Sequence, residues 1–353
     1  MKIMKKGPFL ILTGFQRLLP GLLMMVLLLA LAVSGCARKD GPVAGNNSGN
    51  SAGSEPVTVK VATISGPSAV SLIKLIDEPP SFGPGIKSEY IIRDNPDQIK
   101  AMMIQNDVDF ATVPTNLGAI LYNNNIDYRL AGVSVWGTLY LVGKDEGTKD
   151  WNDLRGKKIY LMGKGLTPDI TFRYMLRKMG LDPEQDVELD YRFPMPKDLA
   201  GAVAAGKAGL AVLSEPMVST LLDKNRDLRV VMDLNTEWKK TVQNRIPMAQ
   251  TGVFVRNGFA EKHPDLVEAF LHEYDSSIQW VNNNIPEAGG LIVSHGIMPN
   301  PDVASQVIGR SNIAFKGVTE IEEGVTAYLK VLYDFHPDNV GGRLPDENFF
   351  YRR

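Results

Sequence analysis

Apolar and polar positions divide the chain into three regimes. Leu18 to Val33 is an apolar run broken only by Pro20 and Gly21, preceded by Lys2, Lys5, Lys6 and Arg17 with no acid. The run closes on Val33-Ser34-Gly35-Cys36. Basic, then apolar, then small residues is the order of an export signal, so residues 1–35 lie outside the fold. Residues 37–56 are rich in Gly, Ser and Asn and lack large apolar side chains. Such a segment buries too little surface to offset its ordering entropy, so 36–56 reads as a flexible tether. From residue 57 onward short alternating runs and helical periods take turns, the signature of an α/β body.

The alternation carries an internal repeat with an offset of one hundred residues. Val59–Ser65 is an alternating strand ending at Gly66, and Ile159–Met162 does the same at Gly163. The helical runs 99–105 and 198–205 follow, then the strands Val108–Val113 and Ala208–Leu213, then Pro114-Thr115-Asn116 and Ser214-Glu215-Pro216 leading into further helices. Each half predicts a mainly parallel sheet covered by helices. Ligands bind such sheets outside the carboxyl ends of the strands. These ends are 65–67, 114–116, 163–168 and 214–216, and if the halves face each other all four loops line one cleft. A strand over 130–142, through Gly132, Trp136 and Gly137, carries the chain from the first half to the second, and 248–255 returns it. This divides the body into lobe 1 (57–138 plus 250–353) and lobe 2 (139–249). A helix starting near Glu261 places Leu266, Phe270, Tyr274, Ile278 and Val281 on one face, and 341–353 reads as an arm on lobe 1.

Charge and cysteine content narrow the function. Without residues 1–35 the chain has 34 basic against 40 acidic residues, which argues against a nucleic-acid partner. A single cysteine excludes an internal disulfide and a zinc framework. After the export signal no apolar run reaches the ~20 residues needed to span a bilayer. His263, His272, His295 and His336 are scattered without metal-ligand spacing. The chain has neither a Gly-x-Ser-x-Gly elbow nor a Gly-x-x-x-x-Gly-Lys-Ser/Thr loop. The reading is a non-enzyme with no cofactor and no metal, acting as a monomer.

Two resemblances give these patterns a function. Val33-Ser34-Gly35-Cys36 resembles the lipobox of bacterial lipoproteins, which implies a lipid on Cys36 and an extracytoplasmic anchor on the cell membrane. Residues 105–111 (Gln-Asn-Asp-Val-Asp-Phe-Ala), 151–159 (Trp-Asn-Asp-Leu-Arg-Gly-Lys-Lys-Ile) and 214–216 (Ser-Glu-Pro) resemble the solute-binding lipoproteins of ABC importers, in the nitrate/sulfonate/taurine and thiamine-pyrimidine-precursor group. That resemblance implies the type II periplasmic-binding-protein fold, with two α/β lobes, two strand crossovers and a cleft that closes on ligand. It also implies a small-molecule solute and permease and ATPase subunits as partners. A sensor ectodomain reporting to a membrane kinase, or an enzyme of pyrimidine-precursor chemistry on the same fold, are the competing readings.

The candidate ligand residues follow from the loop ends. Thr167 fits a helix N-cap with Pro168 and Asp169 behind it, so the amides of 165–169 face the cleft and favour an anion. Asp169 offsets part of that field. Gly165 permits close backbone approach. Ser65 and Gly66, and Thr115 and Asn116, offer short polar groups at the equivalent ends. Glu215 could accept from an amine or a pyrimidine edge, with helix-start stabilisation as the alternative. Trp136, and with it Phe82 and Tyr140, could supply a face for a planar ligand, with hinge packing as the alternative for Trp136. Gln250 is a polar residue in an apolar return segment. Lys164 reads as a solvated loop charge.

Overall fold

The protein was analysed as a computed structural model that describes residues 56–144, 147–243 and 245–353. The export signal, Cys36 and all but the last residue of the tether lie outside the described residues. Strands β1 (Val57–Ile64), β2 (Ile86–Arg93), β3 (Phe110–Pro114) and β4 (Tyr128–Val135) belong to one sheet, completed by β10 (Thr251–Arg256) and β11 (Ile313–Gly317). Strands β5 (Leu139–Gly143), β6 (Lys158–Leu161), β7 (Glu188–Asp190), β8 (Leu210–Ser214) and β9 (Arg229–Asp233) form the other. The strand orders are β11-β4-β10-β3-β1-β2 and β7-β6-β8-β5-β9.

The two sheets share one plan. In the first, β1 runs parallel to β2 and β3, and β10 lies antiparallel between β3 and β4. In the second, β6 runs parallel to β7 and β8, and β5 lies antiparallel between β8 and β9. Each sheet is therefore mixed rather than mainly parallel as expected: three neighbouring strands run parallel, an antiparallel strand is inserted where the chain has just crossed over, and in the first sheet β11 adds a second antiparallel strand against β4. The offset of one hundred is visible in the elements: helix Pro96–Ile104 and β3 recur as helix Pro196–Ala204 and β8. Both helices carry proline in the first turn, where its missing N–H costs nothing. β3 and β8 are buried on both faces except at their last residue, which explains why they read as continuous apolar runs.

The strand expected over 130–142 is two strands in two sheets. It breaks at 136–138, where Gly137 takes φ +109 and a Cβ would sit 2.5 Å from Asn235 Oδ1. In the return segment, pairing begins only at Thr251. The helix expected from Glu261 starts at Pro264, because the residue before a proline is disfavoured in the α region; His263 sits at φ −134. Helix Pro264–Asn283 does bury Leu266, Phe270, Tyr274, Ile278 and Val281. Tyr351 N donates to Leu130 O at 2.8 Å, so the C-terminal arm extends the edge of β4 with Phe349 and Phe350 buried.

One apolar core runs through both sheets. It joins Ala62, Val113 and Leu130 of the first to Leu141, Leu161 and Val212 of the second by way of Met248, Ala249 and Tyr328. Two further cores fill the outer faces, one under helix Pro264–Asn283 and one under helix Pro196–Ala204. Close packing limits substitution at the first core. A Cβ on Gly118 would meet Phe254 Cζ at 1.9 Å, with the ring fully buried. Gly118→Ala should cost about 1–3 kcal/mol in urea denaturation, and an unchanged midpoint would show that the ring has room to move.

Candidate functional site

A cavity of about 480 Å³ lies between the two sheets, within the usual range for small-molecule sites. Its walls come from both halves and from the return crossover. Pro114 ends β3 and Asn116 and Leu117 follow it, Leu166 and Thr167 follow β6, Ser214 ends β8, and Gln250 precedes β10. Tyr328 closes it from helix Val318–Phe335.

Gln250 is the most connected of these residues. Its backbone N donates to Val135 O (3.0 Å) and its carbonyl accepts from Thr115 N (3.1 Å). Its side-chain Nε2 donates to Thr138 Oγ1 (2.8 Å), and Thr138 Oγ1 donates back to Oε1 (3.1 Å). Thr138 O in turn accepts from Glu215 N at 3.0 Å. The ends of β3, β4 and β8 and the start of β5 are thus tied to one residue pair at the cavity wall.

The structure brings together Asn116, Thr167 and Gln250 of the residues singled out from sequence. Asn116 Nδ2 also donates to Asn339 O at 3.3 Å. Thr115 sits directly behind the wall, fully buried, with its hydroxyl unpartnered. Thr167 is the first helical residue rather than the cap. Leu166 occupies the cap position and its apolar side chain cannot cap; Asp169, in the first turn, reaches back instead and accepts from Gly165 N at 2.8 Å. Asp169 also accepts from Tyr191 Oη at 2.7 Å and is buried. The Gly165 amide, expected to face a ligand, is therefore already engaged.

Other candidates lie away from the cavity. Trp136 donates from Nε1 to Ala314 O (2.7 Å) and lines a separate groove of about 620 Å³ at the crossovers, with Trp238 and Asn312. That groove is larger, but it draws nothing from the strand-end loops, so the smaller cavity is the better ligand site. Phe82 lies in a third place, beside Val57 and His263. Tyr140 is buried and donates to Arg310 O at 2.6 Å. Ser65 N donates to Arg93 O, and Gly66 packs against the ring of Pro216.

Glu215 faces away from the cavity because strand neighbours alternate and Ser214 points in. Its carboxylate accepts from Ser219 N (3.2 Å) and Ser219 Oγ (2.9 Å), with Arg310 Nη1 4.0 Å away. Arg310 ends helix Pro301–Arg310, which packs under the first sheet, so this cluster bridges the two halves. Sequence reading missed Tyr328, Asn339 and Arg310. Tyr328 and Arg310 fall within ordinary helical periods and carry no local signal. The polar loop end 214–216 did point to Ser214.

Comparison with known proteins agrees with this architecture. The profile of the family described as ABC transporter, phosphonate, periplasmic substrate-binding protein matches residues 82–293. The chain belongs to that family. The structure of an ABC transporter protein from Parabacteroides distasonis is 30% identical, with a TM-score of 0.71 over 85% of this chain and 100% of that one. The periplasmic aliphatic sulphonate-binding protein SsuA of Escherichia coli has the same fold at 17% identity and a TM-score of 0.68, covering 84% of this chain and 93% of that one. The periplasmic nitrate-binding protein NrtA of Synechocystis shares it at 14% identity and 0.57, over 81% and 84%. Bacillus subtilis YtlA is 26% identical over 148 residues, and the match spans 42% of the length of each chain. No helix among the described residues is long and apolar enough to cross a membrane.

Burial pushes the Glu215 carboxyl up from 4.5 to about 7, against the opposing pull of Ser219 and Arg310. Its folded pKa lies above its unfolded one, so its contribution to stability is whole below about pH 4.5 and is lost as pH rises through about 7. Glu215→Gln should therefore be more stable than the parent by about 1–3 kcal/mol at about pH 8 and nearly equal to it at about pH 5 in urea denaturation. A variant less stable at both pH values would show that Arg310 holds the carboxylate charged throughout.

Proposed function

We propose that the chain is the lipid-anchored, extracytoplasmic receptor of an ABC importer. It captures a small organic solute or anion in the cleft between its sheets and presents it to the permease, whose ATPase lies across the membrane. The cavity between the strand ends carries this reading, because both lobes and a crossover supply its walls. The lobes are 57–138 plus 250–353 and 139–249, and a lipid on Cys36 with the tether 36–56 keeps the receptor near its permease. Asn116, Thr167 and Gln250 face the solute, with Ser214 and Tyr328 beside them. Thr115, Gly165 and Glu215 frame the site, with Ser65 and Gly66 at the neighbouring strand end.

Solute binding favours the closed population by its differential affinity for the two states. A solute at 100 times its dissociation constant should add about 2.7 kcal/mol of stability. In a thermal-shift screen, a compound that raises the melting point of the parent should lose most of that effect in Asn116→Ala/Thr167→Ala, whose unliganded melting point stays near the parent's. A shift that survives the double substitution would place binding elsewhere, the groove beside Trp136 being the first alternative.

A further inference from the structure

We propose that Met248 sets the length of the solute this protein accepts: its side chain is the partition between the cleft and the groove at the crossovers, and a longer apolar tail reaches the groove only when that side chain is out of the way. This rests on the cleft being the binding site. Among the described residues, the cleft of about 480 Å³ and the groove of about 620 Å³ have one lining residue in common, Met248. Its side chain spans the gap between the two crossovers. Met248 belongs to the return crossover, and its sulfur lies against Gly137 of the outgoing one, where a Cβ would sit 2.8 Å from Sδ. Met248 is 4% exposed, so in this arrangement it shuts the two spaces off from each other.

The backbone is pinned on both sides of Met248, which leaves the side chain as the movable part. Trp238 Nε1 donates to Ile246 O at 2.8 Å, two residues before it. Gln250, two residues after it, is held by Val135 O and by Thr138. An unbranched thioether with three rotatable bonds adapts readily to the space around it. What lies beyond suits a hydrocarbon tail. Trp238 of helix Leu234–Thr241, Ile313 of β11 and Ile321 of helix Val318–Phe335 are buried in the groove wall, with Trp136 half-buried beside them. The charged lining residues Lys239, Arg245, Lys316 and Glu320 are exposed, so a tail entering from the cleft meets apolar surface before it meets charge. Covering that surface and the tail together removes both from water, which favours entry in proportion to the area buried. The head stays with Asn116, Thr167 and Gln250, and every methylene beyond the cleft has to pass Met248.

Titration calorimetry on the purified full-length chain tests this with n-butylphosphonate and n-decylphosphonate, each kept below its micelle-forming concentration. Phosphonates are the probes because the family the chain belongs to is described by them. The readout is the ratio of decyl to butyl affinity, which a merely structural role for Met248 would not move. It should rise at least about tenfold in Met248→Ala and fall back to the parent's value when Ala314→Phe is added to fill the groove. Should Met248→Ala fail to fold, Met248→Val opens the partition less and should raise the ratio in the same direction. An equal ratio in the parent and in the folded Met248 variant overturns the proposal. So does a raised ratio that survives Ala314→Phe, because the tail then lies elsewhere, and so does a lack of binding by both probes in the parent and the variants. Asn116→Ala/Thr167→Ala separates the two levels of the argument. Butylphosphonate binding that is unchanged in that double variant refutes the cleft itself. Binding that is lost there, together with a ratio that Met248→Ala leaves unmoved, refutes the length role alone.

Discussion

The mutual bond between the Gln250 amide and the Thr138 hydroxyl is the joint on which this molecule is organised. Two sheets of the same plan each need one antiparallel strand that arrives from the other side, β5 in one and β10 in the other. The chain must therefore cross twice, and the two crossings meet at this pair. Backbone bonds from Thr115, Gln250 and Glu215 gather the ends of β3, β4 and β8 around it. Buried backbone polar groups at strand ends have to be satisfied. Meeting that demand at one point places the carboxyl ends of both sheets against a common cavity. The position of the cavity is thus a consequence of how the crossovers satisfy their hydrogen bonds.

Two buried carboxylates show how the same geometry separates structural from ligand-facing chemistry. Asp169, in the first turn of its helix, and Glu215, in a strand-to-helix loop, both sit beside the cleft and are turned into the protein. Asp169 neutralises the start of a twelve-residue helix. Glu215 binds the first turn of the next helix and approaches Arg310 from the opposite half. With both acids engaged, the polar groups left at the cavity are neutral. Exposed Asp97 and Asp338 add negative charge only at its mouth. Family membership alone does not reveal that division, since it depends on which way individual side chains point.

The architecture was legible because it is written in local periods. Alternating runs marked β1 and β6, continuous apolar runs marked β3 and β8, and the spacing of Leu266, Phe270, Tyr274 and Ile278 marked the long helix. The offset of one hundred then joined them into two like halves. Of the cavity wall, the loop ends pointed to Asn116 and Thr167, and Gln250 stood out as a polar residue in an apolar return segment. Ser214 and Glu215 are both polar, and only the strand's pleat decides which of them faces the cavity. Trp136 suits a ligand face as well as a hinge; its indole N–H is bonded to Ala314 O, far along the chain, and its ring lines the groove at the crossovers rather than the cavity between the strand ends. Tyr328 and Asn339 reach the cleft from the C-terminal region, where nothing local distinguishes them from core and loop residues.

The most direct test of the central claim is a crystal structure of the protein isolated natively with its own solute. The account predicts electron density for an organic molecule bounded by Asn116, Thr167 and Gln250, with the Gln250–Thr138 pair intact. Density in the groove beside Trp136 and Trp238, with the cleft between the sheets free of solute, would contradict it.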